Sequence, residues 1–563
     1  MTIKRKTILA ILFIFVGAAG FLLLRTYVFK QIGDSLQEKL QSLKVSGFNV
    51  EYDSISIDWR RNTITIDHLV LQKNAYDTTC VYPEFISVEK ITAQGFGLFP
   101  LLFKRKLSFE NVYLESPHLV IRDHSRLMVD SATQRANEFT LAIEKVFVKS
   151  GRVEYTDTLN CELLTGLRSD LMLGGLQMDF HVKKPFVFNV DLVSLDSTEV
   201  RLPKEFYTLN FKRTRADLLR GTLQVDSLVV KPDFGKIEFG RKRGYEIDRF
   251  EGIIPFIKLS GFSILTRDSI AVRSTLADVQ FYLKIFRDKR LPFKTQVKEL
   301  PIAQLKGLPF ALKIDSLKIT KSFVQYEELV KDGIEAGTIY FDDLSAILKN
   351  INNRSNEGST SLVANASLMG QGNARITATF PLAKNKNAWI AGAIENFSIP
   401  KLNPMLTPST NIKVESGNMN KLSFSFSFNN LRSDGEIELN YNDLKLVSFK
   451  GEEKRNGQTK KGKEDDLQKD NLKTFIMNTF IFRKNMDEKV PEDKRTGTVM
   501  YFRDDSRSMF NYWIKSILAG VKSAYHLEKP EANKNNRDSK KEEKQSKKQA
   551  RKQRKAEKRR ERG

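Results

Sequence analysis

His118 and His124 flank the segment "LVIRD", and they are the first residues of this sequence that could share a metal ion. Side chains in a strand alternate with a period of two, so residues six apart lie on one face. Six residues at about 3.3 Å rise also separate them by about 20 Å, too far to ligate one ion without a bend. "GQGNARI", from Gly370, opens like a phosphate-cradling glycine loop. It lacks the third glycine and leads into a strand pattern, so it reads as a turn. Asp504 and Asp505 stand just before a helical pattern, where carboxylates favour a helix N-terminus. Five histidines in 563 residues leave little material for acid–base chemistry. The sequence pairs no nucleophile with a base and offers no cofactor loop. No enzyme activity, cofactor or metal is expected.

The chemistry that does stand out is apolar. In "KLSFSFSFNN", Leu422, Phe424, Phe426 and Phe428 alternate with serines. One face of such a strand is leucine and phenylalanine, the other hydroxyl. That face either packs as core against another apolar sheet or a helix, or lines a surface on which acyl chains lie. The four residues are candidate lipid-facing positions, and both readings stay open at this point.

The elements that would carry such a face begin at the N-terminus. "KRK" at Lys4–Lys6 precedes an uncharged run from Thr7 to Leu24. Its apolar content is Thr7, Ile8, Leu9, Ile11, Leu12, Phe13, Ile14, Phe15, Val16, Phe21, Leu22, Leu23 and Leu24, with small residues between. Eighteen residues span about 27 Å as a helix, enough to cross a bilayer core of about 30 Å. "GAAG" is followed by "FLLL", so the apolar run continues past the candidate cleavage site. This favours an uncleaved anchor over a signal peptide. The basic flank keeps the N-terminus cytoplasmic and sends the rest of the chain across the membrane. Ile32, Leu36, Leu40 and Leu43 then predict a short amphipathic helix.

From about Phe48 the period changes to two, as in "TITIDHLVL", "KPFVFNVDLVSL" and "GEIELNYNDLKLVSF". At about 18 residues per strand and turn, the β region of about 440 residues predicts about 24 mostly antiparallel strands. A faint repeat runs through them. Segment 63–72 matches 222–231, 91–99 matches 257–265, and 143–157 matches 314–328, in the same order. The organisation expected is an anchor (1–30), a first β unit with its leading helix (31–157) and a second, repeated unit (158–330). A C-terminal sheet (331–449), a charged disordered insertion (450–471), closing strands with a helix (472–527) and a disordered basic tail (528–563) complete it.

The net charge is +24, and the tail from Lys529 carries +10 of it, with 16 Lys/Arg against 6 Asp/Glu. Just before the tail, Phe510, Trp513, Ile514, Ile517, Leu518 and Val521 form one stripe at helical spacing, with Tyr525 continuing it. This amphipathic end helix either docks on a membrane or partner, or caps the end of the sheet. Cys80 and Cys161 are two buried thiols or one bridge, not a disulfide framework.

The chain resembles the AsmA-like family of inner-membrane-anchored periplasmic proteins, relatives of TamB-type intermembrane lipid-transfer proteins. The resemblance rests on the anchor and on "GFGLFPLLFKRKLSFENVYLESPHLVIRD" (95–123). It continues through "LPFALKIDSLKITKSFVQYEE" (308–328), the segment from Leu402 to Leu446 and "FNYWIKSILAGVKS" (510–523). It implies a long curved antiparallel sheet forming an open groove with a greasy interior. It also implies binding of phospholipid and a role in lipid transport or outer-membrane maintenance. The alternative function is a scaffold for outer-membrane protein assembly, with those assembly proteins as partners. The expected location is the inner membrane, single-pass, with the bulk of the chain periplasmic. There the basic tail would meet anionic lipid or lipopolysaccharide, and nucleic acid would not be a partner.

Overall fold

The computed structural model describes residues 48–525, apart from 59, 74–82, 98–105, 124–138, 158–162, 182–183, 266–270, 332, 384–385 and 450–481. The expected anchor, the helix at Ile32–Leu43, His124, both cysteines, the charged insertion and the basic tail lie outside the described residues. Among the described residues, no helix is long and apolar enough to cross a membrane.

The alternating pattern becomes strand almost throughout. The described residues form 23 strands, all in one large mixed sheet, with few helices. Most neighbours in the sheet are antiparallel and joined by short turns. The expectation of antiparallel pairing needs one correction. Lys106–Glu115 and His118–Asp123 both run parallel to Phe139–Asp157, and Ala271–Asp288 runs parallel to Ala311–Leu329. A parallel pair needs a connection that returns the chain to the same end. For the second pair this is residues 289–310, which include the short helix Pro301–Lys306 with proline at its start.

The chain divides into two compact units. One holds the described residues up to Gly235 together with Glu251–Ser263; the other holds Lys236–Phe250 and the residues from Ile264 onward. The division falls inside the second repeated segment rather than between the repeats.

The matched segments share features of the backbone. Each matched segment carries a left-handed residue at the equivalent position: His68 and Ser227 (φ 50° and 52°), Gly95 and Gly261 (71° and 61°), Ser150 and Lys321 (55° and 43°). L-residues pay about 1–2 kcal/mol for that conformation, so its recurrence is not a matter of local preference. The compensation recurs as well. The Ser150 N–H donates to Asp170 Oδ1 at 2.6 Å, and the Lys321 N–H donates to Ser345 Oγ at 3.3 Å. The pairing register slips at the same place, between Val148 and Gly151 in one and between Ile319 and Ser322 in the other. Phe96 and Phe262, which follow the two glycines, are both buried. Each repeat also places its parallel pair at the matching strand, Val112 beside Val146 and Ala277 beside Leu317.

The largest continuous core lies in the second unit, between the strands Ala388–Ser398, Ile412–Phe428, Arg432–Ser448 and Thr496–Phe502 and the closing helix, Met509–Ala524. Ser508 caps this helix by accepting from the Asn511 N–H. At the helix's other end, the Tyr525 hydroxyl donates to that of Tyr441, which donates to the Arg483 carbonyl at 2.9 Å. Burial pushes the Tyr441 phenol up to about 12 and raises Tyr525 as well. A phenol raised above its unfolded value of about 10 stabilises the fold fully below that pH and stops doing so as pH climbs through the folded value. Denaturant midpoints should therefore be flat from neutral pH to about 10 and then fall towards about 12. The fall should be shallower in the double variant Tyr441→Phe, Tyr525→Phe. An unchanged alkaline slope in that variant would refute this role for the pair.

Candidate functional site

In the first unit, residue pairing places like beside like across the sheet. Ile57, Ile64, Ala93, Val112, Val146, Leu173, Val193, Ala216, Leu223 and Leu259 are successive partners on ten strands. Two residues along, a second row runs through Ile66, Ile91, Leu114, Val148, Leu171 and Leu195 to Ile257, interrupted only by Thr214. Between this row and the next lies the line of left-handed residues His68, Ser150, Ser197 and Ser227. Most strands step three residues there instead of two, which returns their apolar side chains to the same face. A third row follows: Val50, Leu71, Ile86, Leu119, Val153, Leu167, Val200, Leu209 and Val230.

The opposite face is charged. Asp67, Lys90, Glu115 and Lys149 are successive partners, as are Asp170, Asp196, Arg213 and Asp226. Arg213 Nε donates to Asp196 Oδ1 at 2.9 Å, and that carboxylate raises the arginine's already high pKa.

The apolar face is uncovered by any helix among the described residues of this unit. Ile64, Ile66, Val112, Val146 and Val225 are buried by their neighbours, at 6–9% exposure, but most of the three rows are only half-buried. Ten strands at about 4.8 Å spacing make the face about 43 Å wide, and seven residues from the first row to the third make it about 23 Å deep. Isolated apolar residues at a surface need no explanation, whereas a contiguous face of this extent marks an interaction site.

The phenylalanine stripe of the sequence lies elsewhere and is filled. Leu422, Phe424, Phe426 and Phe428 are 9, 7, 1 and 1% exposed. Phe428 meets Tyr512 and Trp513 of the closing helix edge-on, with ring centroids 6.0 and 5.8 Å apart. Of the two readings of that face, the core reading fits this arrangement. The candidate lipid-facing assignment is corrected accordingly, because protein occupies the space an acyl chain would need.

The end helix also differs from its predicted stripe. Its buried line is Tyr512, Ser516, Gly520 and Ala524, while Trp513, Ile517 and Val521 are half-buried and Phe510, Ile514 and Leu518 are exposed. Small residues let the helix backbone sit against the strand Thr496–Phe502. A Cβ on Gly497 would fall 2.1 Å from the Gly520 carbonyl oxygen. The Thr498 N–H donates to Ser523 Oγ at 3.1 Å, so the helix also satisfies an edge-strand donor. The signal for this contact was present as small residues four apart, but it was outweighed by the larger side chains beside it.

A buried charge cluster holds the start of the closing helix. Arg507 Nη1 donates to Glu246 Oε1 at 2.8 Å, and Arg287 Nη1 reaches the same oxygen at 3.4 Å. Arg287 also grips Asp248 with two donors, Nε at 2.6 Å and Nη2. Burial opposes the Arg287 charge, but Asp248 and then Glu246 more than offset this, and the guanidinium is held above its ordinary range. Beside it the Tyr326 hydroxyl and Lys289 Nζ both donate to Glu328, at 2.8 and 2.6 Å. Each anion here has a cation or donor, so the cluster is a fastening with no acid or base left over. Among the described residues, no group of three or more His, Cys, Asp or Glu is placed to hold a metal. His118 meets Phe85 edge-on and lies 3.7 Å from Glu154.

Comparison of the chain with family models and with curated proteins returns no match.

Arg287→Ala would leave Asp248 without its guanidinium and Glu246 with Arg507 alone, at a cost of about 3–5 kcal/mol. Chemical denaturation should show that loss, with Arg507→Ala losing less because its guanidinium is more exposed. A loss below about 1 kcal/mol for Arg287→Ala would mean the cluster does not fasten the unit.

Proposed function

We propose that this protein binds phospholipid acyl chains on the apolar face of its first unit, as a membrane-anchored periplasmic β-groove protein. The observation that carries the proposal is the triple row of aliphatic side chains across ten strands, half-buried and uncovered by a helix among the described residues. The width of about 43 Å exceeds the length of one acyl chain, about 15 Å if a bilayer core of about 30 Å holds two. Burial stabilises by about 0.8 kcal/mol per CH₂, so a chain of about sixteen carbons half-covered by the face gains about 6 kcal/mol. That magnitude suits reversible holding rather than permanent uptake. The face has no charge in its rows, so a headgroup would stay at the rim in water while the acyl chain lies across the strands.

The uncharged run Thr7–Leu24 and its basic flank support a single-pass anchor with the β region on the far side of the inner membrane. The resemblance to AsmA-like proteins points the same way, towards lipid transport or outer-membrane maintenance without an enzymatic step. In this reading the phenylalanine stripe of the second unit is structural, and the lipid-facing residues are those of the first unit.

Photocrosslinking in cells tests the proposal. A benzophenone amino acid in place of Leu114, Leu171 or Leu195 should give phospholipid adducts by mass spectrometry, and one in place of Glu115 or Arg213 on the charged face should give none. Protein adducts at the row positions would favour the scaffold function, and the absence of any lipid adduct there would overturn the proposal. The pair Leu171→Asp, Leu195→Asp should lower copurifying phospholipid about tenfold, equivalent to 1.4 kcal/mol of lost binding.

A further inference from the structure

The closing helix has more apolar surface than its packing uses. Tyr512, Ser516, Gly520 and Ala524 face the sheet. Phe510, Ile514 and Leu518 stand one turn apart on another side and are 47, 36 and 43% exposed. We propose that this outer ridge docks on the surface of an anionic lipid bilayer.

The patch extends beyond the helix. The Arg507 guanidinium stacks 3.8 Å from the centroid of Phe293, and the Lys298 N–H donates to the Asp505 carbonyl at 2.7 Å. These contacts bring Phe293 and the 66% exposed Val297 beside the residues that lead into the helix. An exposed apolar ridge of this kind suits a fluid interface.

Charge selects the occupant. Lys515 and Lys522 are exposed on the flank of the ridge. Asp504 and Asp505 are exposed at the helix start, but Asp504 already lies 3.7 Å from Arg507. The chain then continues into Lys529–Gly563, which adds +10. A second copy of this helix would bring those like charges together, which disfavours self-association. An anionic bilayer pairs with them and accepts the apolar ridge at the same time. This proposal does not rest on acyl-chain binding by the first unit, and either can fail alone.

The test uses the full chain in neutral phosphatidylcholine nanodiscs, with Cys80 and Cys161 changed to Ser. An environment-sensitive fluorophore is placed at Ile514→Cys or Leu518→Cys, with the exposed Lys401→Cys as control. Added vesicles carry nitroxide-labelled acyl chains and are either pure phosphatidylcholine or mixed with phosphatidylglycerol. With the phosphatidylglycerol vesicles at low salt, the fluorophore at 514 and 518 should shift to the blue and be quenched, while the one at 401 should not. Lys515→Glu with Lys522→Glu should weaken the apparent affinity at least tenfold. In the unmodified chain, the same vesicles should protect the amides of residues 507–525 from deuterium exchange. Vesicle binding that leaves both ridge positions unquenched would overturn the proposal. So would equal quenching by neutral vesicles, or a blue shift that depends on protein concentration without vesicles.

Discussion

An apolar sheet face must meet something other than water, and most of this fold follows from how that constraint is satisfied. In the second unit protein satisfies it. Leu422, Phe424, Phe426 and Phe428 share one core with the closing helix, which meets Phe428 directly and packs closely on its strand because Gly497 and Gly520 leave room for backbone to approach backbone. The charge cluster of Arg287, Glu246, Asp248 and Arg507 then fixes where the helix starts. In the first unit the same alternation produces rows that no helix covers among the described residues. A face of that width that gains stability only from its own neighbours is costly unless it has a ligand. In the proposed function that ligand is lipid, and no catalytic group is required.

The left-handed residues make such rows workable. A strand that simply alternated would keep its apolar face, but the sheet would be limited to one regular ladder. A line of left-handed residues at His68, Ser150, Ser197 and Ser227, with the register slipping at Ser150 and Ser197, lets strands bend and still return their aliphatic side chains to one side. The same device recurs at Lys321 in the second copy of the repeat, where Ser345 takes the place of Asp170 as the acceptor.

Much of the fold was legible in the alternation, because one half-buried face forces period two. The matched segments share a backbone conformation, carried by residues as different as His68 and Ser227. Other features had no local signature. The parallel pairings depend on where the chain returns, and strand patterns look alike in either direction. The charge cluster joins Glu246, Arg287 and Arg507, which are far apart in sequence and unremarkable where they stand. The wide apolar face escaped the sequence reading for a related reason. The phenylalanine stripe is the greasiest local pattern, yet the wide apolar face is built from single aliphatic residues contributed by ten separate strands, and no short stretch displays it.

The central claim is that the three aliphatic rows of the first unit hold lipid. The most direct measurement is a cryo-electron microscopy map of the full chain extracted from membranes without exchange of its bound lipid. The account predicts elongated density lying along the row from Ile57 to Leu259 that no polypeptide explains. Polypeptide seated on that face, or a face bare of ordered density, would contradict it.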